Sequence, residues 1–199
     1  MKRSTHTLLM VTLVGTGSAM LAFGLRAAPG GSAPASRARV AGAEFSADGE
    51  LQRPVDYRTW RFVSTGFGMS YGPAAQEAAP SGDIMFDNVF VQPQAYDAFL
   101  RDGVWPEGTV FVLELRSSET QRPPNNHGYF QSELRVLEVS VKDSARFKGG
   151  WAYFDFGKDR QRATPQPASN CFECHERHGA VDMTFVQFYP TLERAAPAR

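Results

Sequence analysis

Apolar and polar residues alternate with a period of two along several segments of this 199-residue chain. Such alternation, combined with many β-branched and aromatic side chains, predicts strands that bury one face. Gly and Pro residues separate the segments and predict turns between them. The predicted strands are 86–92, 109–116, 129–142 and 151–156, and residues 129–142 are numerous enough for one bent strand or two short ones.

Helical spacing is limited to short segments. Residues 54–62 and 93–100 each begin with proline, Gly103 follows the second as a stop signal, and residues 182–187 predict one more short helix before Pro190. The links between the later strands are short and lack helical periodicity, so we expect antiparallel pairing. The pattern therefore predicts a β-rich α+β fold, an antiparallel β-sheet meander with a few short helices and a separate C-terminal segment.

The N-terminus is first basic and then apolar. Lys2 and Arg3 precede a largely apolar run at residues 8–25, and a stretch rich in Ala, Gly, Pro and Ser follows. This order is typical of a bacterial secretory signal and predicts a periplasmic protein, which stays tethered to the inner membrane if the signal is not cut. We expect four segments: a signal or anchor with the start of a flexible lead-in (1–35), a linker (36–43), a single domain (44–194) and a tail (195–199).

The zero net charge of the whole chain conceals a mildly acidic body. Five of the 21 Lys and Arg residues lie in residues 1–39, which contain no acid, so the remainder has 16 basic against 21 acidic residues and a net charge of −5. An acidic body without a basic cluster argues against nucleic acid as a partner. Contact with a membrane is expected only through an uncut leader.

Cys171, Cys174 and His175 form a C-x-x-C-H motif that contains both cysteines of the chain. Two thiols at this spacing can each bond a vinyl group of haem, and the adjacent imidazole can bind the iron. The motif therefore predicts a C-terminal haem-binding segment with one covalently attached haem c and His175 as the metal ligand. Three alternatives stay open at this point: a zinc site that adds His178, a redox dithiol, and a structural disulfide.

An iron held by one imidazole keeps a second axial position free. The side chains that could fill this position are Met69, Met85, Met183, His127 and His178. A ligating imidazole usually donates its other N–H to a carbonyl or a carboxylate. Asp182 is a candidate for that acceptor, with capping of the following helix as the alternative.

The motif stands in a longer run with a recognisable order. Residues 171–192 read CFECHERHGAVDMTFVQFYPTL, and NVFVQPQAYDAF (88–99), WPEGTVFVLEL (105–115) and GWAYFDF (150–156) precede them. The sequence resembles the cytochrome P-460 family, which includes the cytochromes c-prime-beta. The resemblance implies an antiparallel-sheet domain, often a homodimer, with one haem c bonded to Cys171 and Cys174. It further implies a proximal ligand at His175 and a distal side that is open to small nitrogen species.

Leu113 departs from the pattern of the members that oxidise hydroxylamine. Those members carry a lysine bonded to the haem edge, and Leu113 holds the matching position, where no such bond can form. Phe111, Leu113 and Leu115 share one strand face by alternation, so the resemblance implies a wholly apolar distal wall, with ordinary sheet core as the alternative. Asp87 matches a position where those relatives tend to place a basic residue near the pocket. Its alternative role is a solvent-facing strand residue.

Three functions are compatible with these features. The first is capture of a small nitrogen species, above all nitric oxide, at an open and apolar iron site. The second is a haem oxidoreductase that acts on hydroxylamine or nitric oxide, so that the sequence alone does not decide whether the protein is an enzyme. The third is electron transfer, which would need a redox partner protein. A homodimer is the assembly that the resemblance implies.

Overall fold

The computed structural model describes residues 39–69 and 84–192. The predicted signal or anchor (1–35) and tail (195–199) lie outside the described residues, as do the first three residues of the predicted linker. None of the described residues belongs to a helix that is long and apolar enough to cross a membrane.

The fold is built on one five-stranded sheet. Its strands follow the order β2-β3-β4-β5-β6, and each neighbouring pair is antiparallel. Two further strands, β1 and β7, form a separate antiparallel pair. The predicted β-rich α+β meander is therefore confirmed. The strands are β1 Leu51–Gln52, β2 Arg61–Phe67, β3 Met85–Val91, β4 Val110–Thr120, β5 Tyr129–Lys142, β6 Trp151–Asp155 and β7 Arg162–Ala163.

The helices within the described residues are short. Helix α1 covers Pro93–Asp102 and ends at Gly103, whose φ of 69° is the left-handed conformation that glycine adopts easily, so the prediction for residues 93–100 is confirmed. Helix α2 covers Phe172–His178. Single 3-10 turns lie at Tyr57–Thr59, Val186–Phe188 and Pro190–Leu192.

Two helix predictions are wrong. Residues 54–62 form only a 3-10 turn, because the backbone from Arg61 onward pairs with β3 as an edge strand. Residues 182–187 do not begin a helix, because Asp182 and Met183 have φ values of 47° and 61°, which a right-handed helix excludes.

The sheet buries apolar side chains on both of its faces. One face packs Val112, Leu137 and Phe154 into a core closed by β1 and β7. The opposite face carries Phe111 and Tyr153 in one cross-strand row and Leu113 in the next, and we call it the site face. Helix α1 and the C-terminal 3-10 turns cover this face, with Trp105 stacked on Phe99 at 4.0 Å between ring centroids and edge-on to Phe111 at 4.7 Å.

Leu137 provides a test of the core on the far side of the sheet. Its side chain is fully buried, so Leu137→Ala should lower the free energy of unfolding by about 2–5 kcal/mol because it leaves a cavity. Chemical denaturation measures this loss. Leu100→Ala is the matched control, since Leu100 is 44% exposed and its truncation should change stability by less than about 0.5 kcal/mol. Equal losses in the two variants would contradict the assignment of Leu137 to the core.

Candidate functional site

A cavity of about 440 Å³ lies between the site face and residues 166–189. One wall is formed by side chains from β2 to β6, and the opposite wall by the C-terminal segment that contains α2. A volume of this size is within the range of roughly 300–1,000 Å³ that is usual for cofactor and ligand sites. The cavity thus joins the two parts of the chain that carry the candidate chemistry.

Cys171, Cys174 and His175 all line this cavity. A turn after Pro167 ends at Cys171, and α2 then places Cys174 and His175 within its first turn. Both cysteines are half-buried and not joined in a disulfide. Burial raises the pKa of the Cys171 thiol to about 11, so it is protonated at neutral pH, whereas a redox dithiol needs a readily formed thiolate.

The His175 imidazole is held in one orientation by three contacts. Its Nδ1 atom lies 2.8 Å from the carbonyl oxygen of Met183, and because a carbonyl only accepts, Nδ1 carries the proton. The rings of Tyr153 and Phe185 lie against it, each with 4.3 Å between centroids. Burial lowers the pKa of His175 and so favours the neutral imidazole. The lone pair on Nε2 is therefore the one that can bind a metal.

Asp182 does not accept the N–H of His175, so the prediction that it is the acceptor is wrong. Its carboxylate instead pairs with the ammonium of Lys142 and accepts a hydrogen bond from the indole of Trp151 at 3.4 Å. The acceptor for His175 is the backbone of the next residue, Met183. A backbone carbonyl leaves no mark in a sequence, so no pattern of side chains could have indicated it. Tyr153, which packs on His175, was also missed.

The predicted distal residues are only partly brought together. Phe111, Leu113 and Asp87 line the cavity, whereas Leu115 is not among the lining residues. Leu115 is the cross-strand partner of Asp87 in the pairing of β3 with β4. Val89 adds an apolar side chain beside Leu113 that the sequence prediction did not include. Asp87 is only 4% exposed, so its alternative role as a solvent-facing residue is wrong.

The cavity wall is not wholly apolar, which corrects a second expectation. Both carboxylate oxygens of Asp87 lack a hydrogen-bond partner among the residues that the structure describes, and burial raises the pKa of this group to about 6. Glu138 and Asp155 also line the cavity, where they face each other across β5 and β6. The pKa of Glu138 is raised by burial and, to a smaller extent, by the charges of Asp155 and Asp87.

Of the side chains that could occupy the second axial position, Met69 lines the cavity. Met183 contributes its carbonyl oxygen to His175, while His127 and His178 are exposed. In residues 39–69 and 84–192, no three His, Cys, Asp or Glu side chains come close enough to hold a metal ion together, which is what a zinc site would require.

The buried carboxyl group of Asp87 makes stability depend on pH. Its folded-state pKa of about 6 exceeds the ordinary 3.8, so the folded state binds more protons than the unfolded state in this interval, and stability falls as the pH rises through it. Asp87→Asn removes this term, so the free energy of unfolding of the variant should exceed that of the wild type by an amount that grows between about pH 4 and about pH 7 and then levels off, reaching roughly 1–3 kcal/mol.

Denaturant unfolding across this pH range measures the difference. The control is Asp97→Asn, which changes an exposed carboxylate on α1 and is measured over the same pH range. A difference between Asp87→Asn and the wild type that is constant with pH would contradict the burial of an unpaired carboxyl group at this position.

Comparison with known protein families gives a match to the family described as Cytochrome P460, over residues 54–186. This range covers about two thirds of the chain and includes the sheet, α1, α2 and the turn that contacts His175. No curated protein matches the chain. The match agrees with the C-x-x-C-H motif and with the cavity beside it. The chain therefore belongs to the cytochrome P-460 family of haem-binding cytochromes, which is related to hydroxylamine oxidation.

Proposed function

We propose that this protein is an exported mono-haem c-type cytochrome that binds a small nitrogen species, nitric oxide above all, at an open iron site. In this proposal Cys171 and Cys174 would hold the haem through thioether bonds and His175 would bind its iron. Two half-buried free thiols and a neutral imidazole on one wall of the cavity fit that group. When bound, the haem supplies an iron centre that accepts a ligand or an electron.

The residues of the chain define how such a site would behave. The Met183 carbonyl and the ring of Phe185 keep the His175 imidazole in one orientation. Phe111 and Leu113 lie on the opposite wall and present hydrocarbon surface that excludes water and offers no metal ligand. A small uncharged molecule such as nitric oxide loses little hydration beside these two side chains, whereas the polar groups of a larger ligand would find no hydrogen-bond partner there.

The single observation that carries the proposal is Leu113 in the cavity wall. The family resemblance places the haem-bonding lysine of hydroxylamine oxidisers at this position. Leucine cannot form that bond, so the haem would be held through the C-terminal motif alone. This arrangement supports ligand capture more than it supports turnover.

The absorption spectrum of the reduced, haem-bearing protein tests nitric oxide capture. Addition of nitric oxide should shift the haem bands, because the open axial position takes up the ligand. A six-coordinate spectrum that does not change on addition of nitric oxide would contradict the proposal and favour electron transfer, with Met69 as the second ligand. In that case Met69→Leu should restore the response to nitric oxide.

Leu113→Lys is the complementary variant. If residue 113 faces the haem edge, the introduced lysine should alter the spectrum of the purified protein. Leu100→Lys, on the exposed side of α1, should leave the spectrum unchanged. Identical spectra for the two variants would remove Leu113 from the haem environment.

A second candidate function is the oxidation of hydroxylamine, which the unpaired carboxyl group of Asp87 favours. Oxidation of hydroxylamine releases protons together with electrons, so a nearby proton acceptor assists it. Asp87 lines the cavity, and no described residue donates a hydrogen bond to its carboxylate. Its raised pKa of about 6 is suited to accepting a proton near neutral pH.

Turnover of hydroxylamine with an artificial electron acceptor tests this candidate. Asp87→Asn should lower the turnover number by about 100-fold if the carboxylate accepts a proton during the reaction. Asp97→Asn is the control and should retain the wild-type rate, and nitric oxide binding should persist in both variants. Absence of turnover by the wild-type protein would reject the enzyme, and equal rates in the two variants would reject the role of Asp87.

Compartment and partners belong to the same proposal. Covalent haem attachment through this motif takes place after export in bacteria, which agrees with the signal-like residues 1–35 and with a periplasmic location. If the leader remains uncut, the protein is tethered to the inner membrane. A redox partner protein would be required for turnover or for electron transfer, and a homodimer is the assembly that the family resemblance suggests.

A further inference from the structure

The segment that contains His175 has a tight turn with a methionine at a position that favours glycine. Val181 and Thr184 form an antiparallel bridge, and the two residues between them, Asp182 and Met183, have φ values of 47° and 61°. Positive φ at both central residues corresponds to a type I′ turn, for which Asn-Gly is the preferred sequence. An unbranched but bulky methionine in this conformation is strained, so neighbouring contacts must stabilise the turn.

A partly buried ion pair contacts the turn. Lys142 is 4% exposed, and its ammonium group donates to the carboxylate of Asp182 and, at 2.8 Å, to the backbone carbonyl of Trp105. The other carboxylate oxygen of Asp182 accepts the indole N–H of Trp151 at 3.4 Å. Lys142 is the last residue of β5 and Trp151 the first of β6, so the turn is fastened to one end of the sheet.

Thr184 fastens the other side of the turn. Its hydroxyl accepts a hydrogen bond from the indole N–H of the fully buried Trp105 at 2.9 Å and donates to the carbonyl of Val181 at 2.6 Å. These bonds connect the turn to the aromatic stack beneath α1. The turn is therefore attached to the sheet and to Trp105 as well as to α2.

The turn presents the carbonyl oxygen of Met183 to the cavity wall. This oxygen accepts the Nδ1–H of His175 at 2.8 Å and the hydroxyl of Tyr153 at 3.5 Å. Gly179 allows the approach, because a Cβ atom there would lie 2.7 Å from the carbonyl oxygen of His175 and 2.8 Å from the backbone of Met183. The path from Lys142 to His175 thus consists of an ion pair, one strained turn and one hydrogen bond.

We propose that the Lys142–Asp182 ion pair is a positioning device that holds the 181–184 turn in place, so that the Met183 carbonyl orients the His175 imidazole and sets the reduction potential of the haem. This inference rests on the proposed function, because it requires His175 to be the axial ligand. Neither Lys142 nor Asp182 belongs to the C-x-x-C-H motif, and Lys142 lies outside the C-terminal segment.

The physical reason concerns electron donation by the imidazole. A carbonyl that accepts the Nδ1–H makes the imidazole a stronger donor through Nε2, which stabilises the ferric state. If the turn relaxes, this hydrogen bond lengthens and the imidazole donates less electron density to the iron. The ferric state is then less stabilised relative to the ferrous state, so the reduction potential rises. A buried ion pair adds little net stability over an apolar pair, which is consistent with a role in fixing conformation.

Redox titration of the haem-bearing Lys142→Met variant is the first test. We expect the ratio of ferrous to ferric protein at a given potential to rise about tenfold, which for a one-electron couple corresponds to a potential about 59 mV higher. Lys158→Met is the matched control, because it breaks the exposed Lys158–Glu133 pair and should leave the potential unchanged. An unchanged potential in a folded Lys142→Met protein overturns the inference.

A rescue variant distinguishes an effect of the position of the 181–184 turn from a direct effect of the charges of Lys142 and Asp182. Asp182→Asn and Met183→Gly together supply the sequence that a type I′ turn prefers, so this pair of changes should hold the turn without the ion pair. When this pair of changes is added to Lys142→Met, the ratio of ferrous to ferric protein at a given potential should return to within twofold of the wild-type ratio. A triple variant that keeps the raised potential of Lys142→Met shows that the conformation of the turn does not set the potential, and overturns the positioning role.

The rescue variant also covers the case in which Lys142→Met fails to fold. Circular dichroism and the haem content per polypeptide report folding and attachment, and the triple variant should recover both if the turn is what the ion pair stabilises. Failure to recover them overturns the inference. A wild-type protein that lacks covalent haem overturns the proposed function together with this inference, whereas an unshifted potential in a haem-bearing variant overturns this inference alone.

Discussion

The hydrogen bond between Nδ1 of His175 and the Met183 carbonyl is the contact on which the site depends. A neutral imidazole has one N–H and one lone pair, so fixing the proton on Nδ1 also fixes which nitrogen can bind a metal. The two residues are only eight positions apart, so the chain must leave α2 and reverse within a few residues. Gly179 and the left-handed backbone at Asp182 and Met183 make this reversal possible.

The two sides of the cavity differ in whether their buried polar groups have hydrogen-bond partners. On the side of α2, the polar atoms of Asp182 and Thr184 have hydrogen-bond partners, and such a satisfied network is rigid at low dielectric. On the sheet side, Asp87 is buried and without a partner among the described residues. A site for a reactive centre would need an imidazole that is held in one orientation. It would also need an unsatisfied polar group that can interact with a small substrate.

The sheet makes this asymmetry possible because it is buried on both faces. Leu137 and Phe154 pack into a largely apolar core on one face, where the buried Glu114 lies opposite Leu137 and pairs with Arg58 and Arg116. The other face is then free to carry Asp87 and Glu138 among apolar neighbours. Burial of these carboxyl groups destabilises the folded state, and the core on the opposite face of the sheet offsets this destabilisation.

The sequence by itself determined β3 to β6, α1 and the candidate residues Cys171, Cys174 and His175, because alternation, a proline start with a glycine stop, and a spaced thiol pair are local signals. It also carried the family resemblance that the family match confirms. It misassigned residues 182–187 and the role of Asp182, because a strained turn is stabilised by Lys142 and Trp151, which are distant in sequence. Only the tertiary structure decided that Asp87 is buried, that Leu115 stays out of the cavity wall, and that a backbone carbonyl orients His175. These outcomes follow from strand register and from contacts across the sheet, which no local pattern encodes.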